Sequence, residues 1–361
     1  MSIIFSDGLA EQIDIEATID NNQFLTISRV FYKASMNKPR SVTLQLSDNE
    51  SLQKARLGGE VVLTAGRGDA IHNLSFNGLV KVIKPGNQTH TIIAVDRITS
   101  LATSEYVNYK AEDIEGQDLY FLITEAADYQ GIDVSDALGG SGIIATAEMN
   151  LTGLQRRKDF IDNCIENMVK SYDDDFHDNT DFLRYKYAIR TGNKFDIFLP
   201  DHKSKAAQPV LKISEDDANI TGEGIVAQID TTRLYNSVTA ISKSDSSIFK
   251  TVNNESSISQ YGPNSTTITL DTVNKSLLED AAYEILQTYS TPTFSYAITM
   301  HNADWAGLGD LVQLNVPMLE RDIILPVVAY ETEINQSMTT KLTVGEPTLT
   351  LKDFVRQLQI I

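Results

Sequence analysis

The fold of this chain is decided by four consecutive stretches near its end: FSYAITM (294–300), GLGDLVQLNV (307–316), VVAYETEI (327–334) and KLTV (341–344). Apolar or β-prone residues recur in them at every second position. A period of two turns one face of a strand toward a core and leaves the other face polar. The stretches therefore predict an antiparallel β-meander that closes on itself, with a corner at Gly309-Asp310. No residue in them resembles a catalytic group, which favours a part of an assembly over an enzyme.

The bulk composition describes a folded protein of more than one domain. The chain has 361 residues, of which 42% are hydrophobic, and a formal net charge of −19. This length exceeds a single core and predicts two or three domains. The charge argues against sequence-independent binding to nucleic acid and against docking on anionic lipid. It is compatible with plain solubility, which we favour, and also with an acidic wall that keeps DNA from sticking inside a passage.

The single cysteine and the N-terminus bear on the compartment. Cys164 has no cysteine partner, so neither an intrachain disulfide nor a cysteine-based metal cluster is predicted. The first residues lack the charged and apolar regions of a signal peptide. No stretch approaches the ~18 apolar residues of a membrane span, so we expect no membrane insertion. Synthesis in a reducing cytoplasm fits the presence of this cysteine.

Residues 1–104 are predicted to form a first β-domain, a small barrel or sandwich. Turn-forming residues separate its alternating segments, as at Pro85-Gly86-Asn87. The expected strands are Ile13–Ile19, Phe24–Phe31, Ser41–Leu46, Glu60–Ala65, Leu74–Ile83 and Thr91–Ile98.

Residues 105–207 change to a helical period and predict an inserted α+β domain. One helix is expected around Leu119–Ala126, and Gly139-Gly140-Ser141-Gly142 is interpreted as a mobile connector. Thr152 and Gln155 have the spacing of a capping box that opens a second helix. Its apolar stripe contains Phe160, Ile161, Cys164, Ile165, Met168 and Val169. A hairpin then turns at Gly192-Asn193.

Residues 208–346 are predicted to form a second β-barrel domain with one helix. Strands are expected around Ile225–Ile229, Leu234–Ile241 and Ser265–Leu270, and the polar stretch 243–259 is interpreted as a surface loop or weak hairpin. The helix would open with the capping box Ser276 to Glu279. Its expected buried stripe is Leu277, Leu278, Ala281, Ala282, Ile285 and Leu286. The tail 347–361 is apolar enough to dock, either on a neighbouring protein or on its own second barrel.

The order of these parts resembles the hub proteins in the tail tips and baseplates of tailed bacteriophages and related contractile injection particles. Four segments carry the resemblance: Phe76-Asn-Gly-Leu-Val80 with Ile92–Asp96, Arg233–Val238, Ser257-Ile-Ser-Gln-Tyr-Gly262, and Gly309-Asp-Leu-Val312. The family often has Arg or Lys after the Tyr-Gly element, whereas this chain has Pro263. Pro263 cannot form the salt bridge that a basic residue would make at that place.

The resemblance implies a mechanical role without catalytic residues, cofactors or metals. Family members assemble as trimers, so two barrels in each chain would give six barrels in a pseudo-sixfold ring around a channel. The implied partners are tail-tube or distal tail subunits, a spike or tip protein, and a tape measure protein. DNA would pass through the lumen without specific binding, and the protein would reside in the virion.

Several acidic groups are candidates for chemistry. Asp173–Asp178 with Asp181 could bind a divalent ion, but the run lacks the order of a calcium loop and is better explained as a solvated loop. Glu112 with Glu115, and Glu331 with Glu333, could form the paired carboxylates of a hydrolase. We interpret the first pair as a helix-entry turn and the second as the polar face of a strand.

Two alternative functions stay open from the sequence. One is a cell-wall or polysaccharide-binding β-sandwich, which would need an exposed aromatic groove. The other is a tail-tip peptidoglycan hydrolase, although Trp305 is the only tryptophan available to line a cleft. The Gly139–Gly142 stretch is not a phosphate loop, because no Lys-Ser/Thr follows it.

Overall fold

The computed structural model describes most of the chain, in sixteen stretches. They are residues 13–20, 23–67, 74–103, 106–128, 132–136, 138–146, 149, 151–171, 182–190, 194–200, 208–214, 220–230, 234–301, 307–316, 321–335 and 337–345. Several predictions fall outside them: the Asp173–Asp178 cluster with Asp181, the Gly192-Asn193 turn, Trp305 and the tail 347–361.

The first segment is a set of β-strands with two short helices. Its elements are β1 (Ile13–Ile19), β2 (Gln23–Phe24), β3 (Ile27–Ser35), β4 (Ser41–Leu46), α1 (Asn49–Lys54), β5 (Glu60–Arg67), β6 (Leu74–Lys84), β7 (His90–Asp96) and α2 (Ile98–Thr103). The expected strand Phe24–Phe31 is therefore split in two. The expected strand Thr91–Ile98 ends early, because the Asp96 carboxylate accepts a hydrogen bond from the Ile98 amide and α2 begins there.

The inserted segment mixes helices with short strands. Its elements are β8 (Tyr106–Tyr109), α3 (Ala111–Ile114), α4 (Leu119–Asp128), β9 (Gly153–Arg156), α5 (Arg157–Asn167), β10 (Val169–Ser171), β11 (Phe182–Arg184), β12 (Lys186–Ile189) and β13 (Phe195–Phe198). The capping box at Thr152 was wrong, because Gln155 lies in β9 and α5 begins two residues later. Helix α5 does bury Phe160, Ile161, Cys164 and Ile165 as predicted.

The last segment returns to β-structure around one long helix. Its elements are β14 (Leu211–Ser214), β15 (Ile220–Asp230), β16 (Ser237–Ser242), β17 (Phe249–Asn253), α6 (Glu255–Tyr261), β18 (Ser265–Leu270), α7 (Lys275–Tyr289), β19 (Thr293–His301), β20 (Leu311–Val316), β21 (Arg321–Ile334) and β22 (Met338–Gly345). The chain is thus β-rich α+β, as predicted. The polar stretch 243–259 contributes β17 and most of α6.

Thirteen strands of the described residues join one sheet. Its order is β15-β19-β22-β21-β3-β4-β7-β6-β5-β1-β2, with β20 attached to β21 and β14 attached to β20. The four alternating stretches near the end of the chain are strands with the predicted alternation, which buries Ile298, Leu314 and Leu342. The predicted meander was wrong in one pairing, because β19 lies beside β22 and not beside β20.

The sheet contains the same strand order twice. In the first segment the order is β3-β4-β7-β6-β5-β1, and in the last segment it is β15-β19-β22-β21-β20-β14. When the six strands of each set are numbered along the chain, both orders read 2-3-6-5-4-1. The two orders differ in direction at the end, where β1 pairs antiparallel with β5 but β14 pairs parallel with β20. We call these two sets the first half and the second half of the sheet.

The described residues divide into two compact units. One unit holds those within Met1–Ala147, Leu151–Val226 and Tyr296–Gly345, and the second is centred on Ala227–Ser295. The strands of both halves pack around one core in the first unit. The division into 1–104, 105–207, 208–346 and 347–361 remains a prediction. It differs from this grouping because the centre of the last segment builds a core of its own.

That second core lies between a small sheet and a helix. The strand order is β17-β16-β18, and α7 packs Leu278, Ala282 and Ile285 against Val238 and Ile268. Leu277 was expected in the buried stripe and is 48% exposed. The helix also begins two residues earlier than predicted, because Asn274 and not Ser276 caps it, accepting a hydrogen bond from the Ser276 amide at 3.0 Å.

Candidate assembly site

The two halves of the sheet are joined by one antiparallel strand pair. Residues Ala329–Ile334 of β21 pair with Ser35–Val30 of β3, almost three hundred residues away in the sequence. On the polar face of this joint, Arg29 Nη2 lies 2.5 Å from Glu333 Oε1 and Lys33 Nζ lies 2.6 Å from Glu331 Oε1. Both ion pairs are substantially exposed, so each contributes at most about 1 kcal/mol. The backbone ladder and the core face below carry the rest.

The core face of the joint is aromatic. Tyr32 of β3 stacks on Tyr330 of β21 with ring centroids 5.6 Å apart, and its edge meets Phe76 of β6 at 6.3 Å. Aromatic pairs in these geometries add roughly 0.5–1.5 kcal/mol beyond the burial of their area. Residues of both halves therefore contribute to a shared aromatic cluster.

A buried ion pair lies beside this cluster. Arg40 and Asp96 have side chains only 3% and 2% exposed, with Nε 3.5 Å from Oδ2. The Arg40 amide donates to Asp96 Oδ2 at 2.7 Å, and Arg40 Nη1 donates to the Tyr32 hydroxyl at 3.2 Å and to the Ser75 carbonyl at 2.9 Å. Burial raises the pKa of Asp96 to about 6, although the Arg40 charge opposes that rise. The pair fixes the β3–β4 hairpin on β7.

Each half carries the same backbone corner, directly before β5 in the first half and directly before β20 in the second. The Gly58 amide donates to the Val80 carbonyl, and the Val80 amide donates to the Gly59 carbonyl, both at 2.9 Å. In the second half, the Gly309 amide donates to the Val327 carbonyl and the Val327 amide donates to the Asp310 backbone carbonyl, both at 2.9 Å. Gly58 and Gly309 have φ of 77° and 85°, a left-handed region that favours glycine. LGGEVVL (57–63) and LGDLVQL (308–314) are therefore equivalent sequences.

In each half a bulge begins at the residue that is hydrogen-bonded to the corner. The register of β6 shifts between Val80 and Val82, and that of β21 shifts between Val327 and Ala329. Beyond its bulge, β21 continues into the joint with β3, and the Met36 amide donates to the Val328 carbonyl at 3.0 Å. A bulge bends its strand and changes the direction of the residues beyond it. The bulge in β21 thus directs the end of that strand onto the first half.

The inserted hairpin β12–β13 is tied to the first half at a turn. Asn37, at the tip of the β3–β4 hairpin, has φ of 57°, which Asn tolerates better than most residues. Its side-chain oxygen accepts from the Tyr187 amide at 3.0 Å, and its own amide donates to the Tyr187 carbonyl at 2.9 Å. The Tyr187 hydroxyl donates to the Asn37 carbonyl at 2.9 Å. Three hydrogen bonds thus hold this tip against β12.

The same hairpin is tied to the second half at the Gly-Asp corner. Arg190 Nη2 donates to Asp310 Oδ1 at 2.8 Å, and Arg190 Nη1 lies 3.3 Å from Asp196 Oδ2. The Phe198 ring lies against Gly309, where an added Cβ would meet Cε2 at 2.3 Å. The Arg190 guanidinium also stands over that ring, 4.9 Å from its centroid. The insertion therefore contacts both halves through one hairpin.

The glycine-rich stretch 139–142 is held by a carboxylate. Asp118 Oδ1 accepts from the Ser141 amide at 3.1 Å and from the Ser141 hydroxyl at 2.7 Å, and Oδ2 accepts from the Gly142 amide at 2.8 Å. Partial burial would raise the pKa of Asp118, but these hydrogen bonds outweigh it and lower the pKa. The interpretation as a mobile connector overlooked this anchor.

The acidic residues considered as hydrolase groups are occupied otherwise. Glu331 and Glu333 form the ion pairs of the joint. Glu112 is exposed and lies 3.2 Å from Lys110 at the start of α3, and Glu115 follows the same short helix. Within the described stretches, no three His, Cys, Asp or Glu side chains gather as a metal site. No helix in those stretches is long and apolar enough to cross a membrane.

Three solved structures that resemble this chain are tail proteins. A tail protein from Neisseria meningitidis superposes with a TM-score of 0.63 at 10% identity, covering 93% of this chain and 97% of that one. The 43 kDa tail protein of prophage MuSo2 from Shewanella oneidensis gives 0.59 at 13% identity, covering 94% and 97%. Prophage tail protein gp18 from Listeria monocytogenes gives 0.50 at 12% identity, covering 96% and 98%.

The chain has the fold of phage tail proteins. The resemblance inferred from the sequence is confirmed at this level, and it extends over nearly the full length of both chains. No family model and no curated protein matches the sequence. At identities of 10–13%, this chain shares few residues with these structures although the folds superpose.

Proposed function

We propose that this protein is a structural hub in the tail tip or baseplate of a phage or phage-tail-like particle, where three copies form a ring. The observation that carries the proposal is the duplicated sheet. One chain holds the same six-strand order twice, with matching corners and bulges, and joins the two by a strand pair. The fold shared with tail proteins supports the same assignment.

A duplicated half is useful where two symmetries meet. Three copies with two similar halves each would present six similar surfaces toward a sixfold tube and three identical surfaces toward a spike. Contacts between unlike surfaces of neighbouring copies close into a ring when the rotation fits, and otherwise grow into a fibre. In this proposal each half forms a barrel, as the sequence predicted.

The partners follow from that position in the particle. Tail-tube or distal tail subunits would bind one side, a spike or tip protein the other, and a tape measure protein would end nearby. The tail 347–361 is proposed to reach one of these partners. DNA would pass through the lumen without specific binding, because the net charge of −19 provides no general attraction for phosphate. We further propose that the lumen is lined by acidic and polar side chains.

The proposed role needs no catalytic group. The paired glutamates that could have served a hydrolase instead lie at the strand joint or on an exposed short helix. A wall-degrading activity would require a carboxylate pair across a cleft. Glu112, Glu331 and Glu333 supply ion pairs instead.

Light scattering coupled to size-exclusion chromatography tests the proposal. Three copies of the 40.0 kDa chain give about 120 kDa, whereas a binding module of one copy gives about 40 kDa. The measurement should be repeated after mixing with the tail-tube subunit from the same particle. A single-copy mass in both conditions, together with absence of the protein from purified particles, would contradict the hub.

A further inference from the structure

The central strand β6 has an open side where its counterpart β21 is occupied. Strand β5 pairs with Leu74–Leu79 only, so it leaves β6 before the last residues. Val82, Ile83 and Lys84 pair with β7 on the other side, and Lys81 lies in the bulge before them. Among the described strands, none pairs with this segment on the side that β5 has left. At the equivalent place on β21, the strand β3 is bound.

Strand β15 has an unpaired edge that corresponds to a paired edge of β3. It occupies the place in the second half that β3 occupies in the first, and it is the terminal strand of the sheet order. Strand β3 is paired on both sides, by β4 and β21. Of the strands that the structure describes, only β19 pairs with β15. An uncovered edge of this length invites pairing with another chain.

We propose that Lys81–Lys84 of β6 in one copy pairs antiparallel with the open edge of β15 in the next copy. This inference rests on the proposed ring and names the strands that close it. Counterparts of β6 and β15 already make this contact within one chain, as β21 and β3. The occupant of each edge is therefore a second copy of this protein, which carries the fitting partner strand on its opposite half.

The intrachain joint fixes the form of the proposed contact. From the matched bulges, Val82, Ile83 and Lys84 correspond to Ala329, Tyr330 and Glu331. Glu331 is paired directly opposite Lys33 on β3. The new contact is shorter than the intrachain one, because β6 ends at Lys84 and the following Pro85 has no amide hydrogen to donate.

In the intrachain joint and in the proposed contact, one strand carries basic residues and the other carries acidic ones. The half of the sheet that supplies the basic strand is the opposite one in the two cases. Within the chain, β3 supplies the bases Arg29 and Lys33, and β21 supplies the acids. In the proposed contact, β6 supplies the exposed bases Lys81 and Lys84. The β15 sequence ITGEGIVAQID (220–230) contains two acidic residues and no basic one. Complementary charge on a strand pair favours the correct partner and register.

Disulfide mapping tests the pairing. Lys84→Cys is combined in turn with Ile220→Cys, Thr221→Cys, Glu223→Cys or Val226→Cys, and each double variant is oxidised at the concentration where rings form. The native Cys164 does not interfere, because it is buried and burial raises the pKa of its thiol. Lys33→Cys with Glu331→Cys serves as the internal standard and should close within one chain. Lys110→Cys, at another exposed lysine, replaces Lys84→Cys in the negative control.

The expected result is a ladder of linked dimers and trimers for at least one β15 position with Lys84→Cys, and none with Lys110→Cys. Reversal of charge in the Lys81→Glu, Lys84→Glu variant should weaken ring formation about tenfold at low salt. Absence of linked species at all four β15 positions overturns the pairing. Light scattering separates this failure from failure of the hub, since a ring of about 120 kDa without these links keeps the hub and rejects the strands named here.

Discussion

Replacing Gly309 with alanine should destabilise the protein far more than the same change at Gly58, although the two glycines occupy equivalent corners. Both have positive φ, 85° and 77°, so alanine costs roughly 1–2 kcal/mol of conformational strain at either site. The difference arises from packing. A Cβ at Gly58 meets nothing within 4 Å, whereas a Cβ at Gly309 meets the Phe198 ring at 2.3 Å.

Relief of that overlap requires the ring to move from beneath Arg190. Overpacking of this kind typically costs about 1–3 kcal/mol. The free energy of unfolding should therefore fall by about 1–2 kcal/mol for Gly58→Ala and by about 2–5 kcal/mol for Gly309→Ala.

Urea titration followed by circular dichroism measures both losses. The double variant Gly309→Ala, Phe198→Ala should recover the packing part, which gives an interaction energy of about 1–3 kcal/mol in the double-mutant cycle. Equal losses at the two glycines, or strict additivity in the cycle, would refute the view that the inserted hairpin is packed onto the Gly-Asp corner.

Three further perturbations probe the buried pair, the glycine-rich loop and the joint. The pKa of Asp96 is about 6 in the folded chain against ~3.9 in the unfolded chain, so the folded state binds more protons between these pH values. The free energy of unfolding should therefore fall by up to roughly 3 kcal/mol as the pH rises from 4 to 7. Urea unfolding at a series of pH values should show this slope in the native protein and not in Asp96→Asn. Asp118→Asn should lower the free energy of unfolding by about 1–3 kcal/mol and speed hydrogen exchange in the loop 139–142. Asp113→Asn, at an exposed cap, should cost less than about 1 kcal/mol. Exchange rates in the loop that are equal in Asp118→Asn and in the native protein would count against the anchor. Glu331→Ala and Lys33→Ala should show a coupling below about 1 kcal/mol that high salt removes, and a salt-independent coupling would contradict an exposed pair.

The sequence predicted most strands because alternation is a local signal. Strands at Ile13–Ile19, Ser41–Leu46 and Ser265–Leu270 have the predicted bounds. Alternation identifies which face is buried, but it does not name the neighbouring strand. The neighbour of β19 was therefore assigned incorrectly, and the joint of β3 with β21 was not foreseen.

The parts of the site that the sequence missed depend on distant partners. Nothing local marks Asp118 as the anchor of Ser141, or Arg190 as the partner of Asp310. One signal was present and could have been used, namely the repeat of LGGEVVL (57–63) in LGDLVQL (308–314). Comparing the two corners would have predicted the duplicated half directly. The separate core of the region 227–295 could not be inferred from period alone, because its strands and helix have the same periods as their neighbours.

Electron microscopy of the purified protein, alone and with its tube subunit, tests the central claim most directly. If the two halves of the sheet are equivalent building blocks of a hub, averaged images down the ring axis should show three copies as six similar lobes around an open centre. A single compact particle, or a ring in which the two halves of each chain occupy unlike positions, would contradict it.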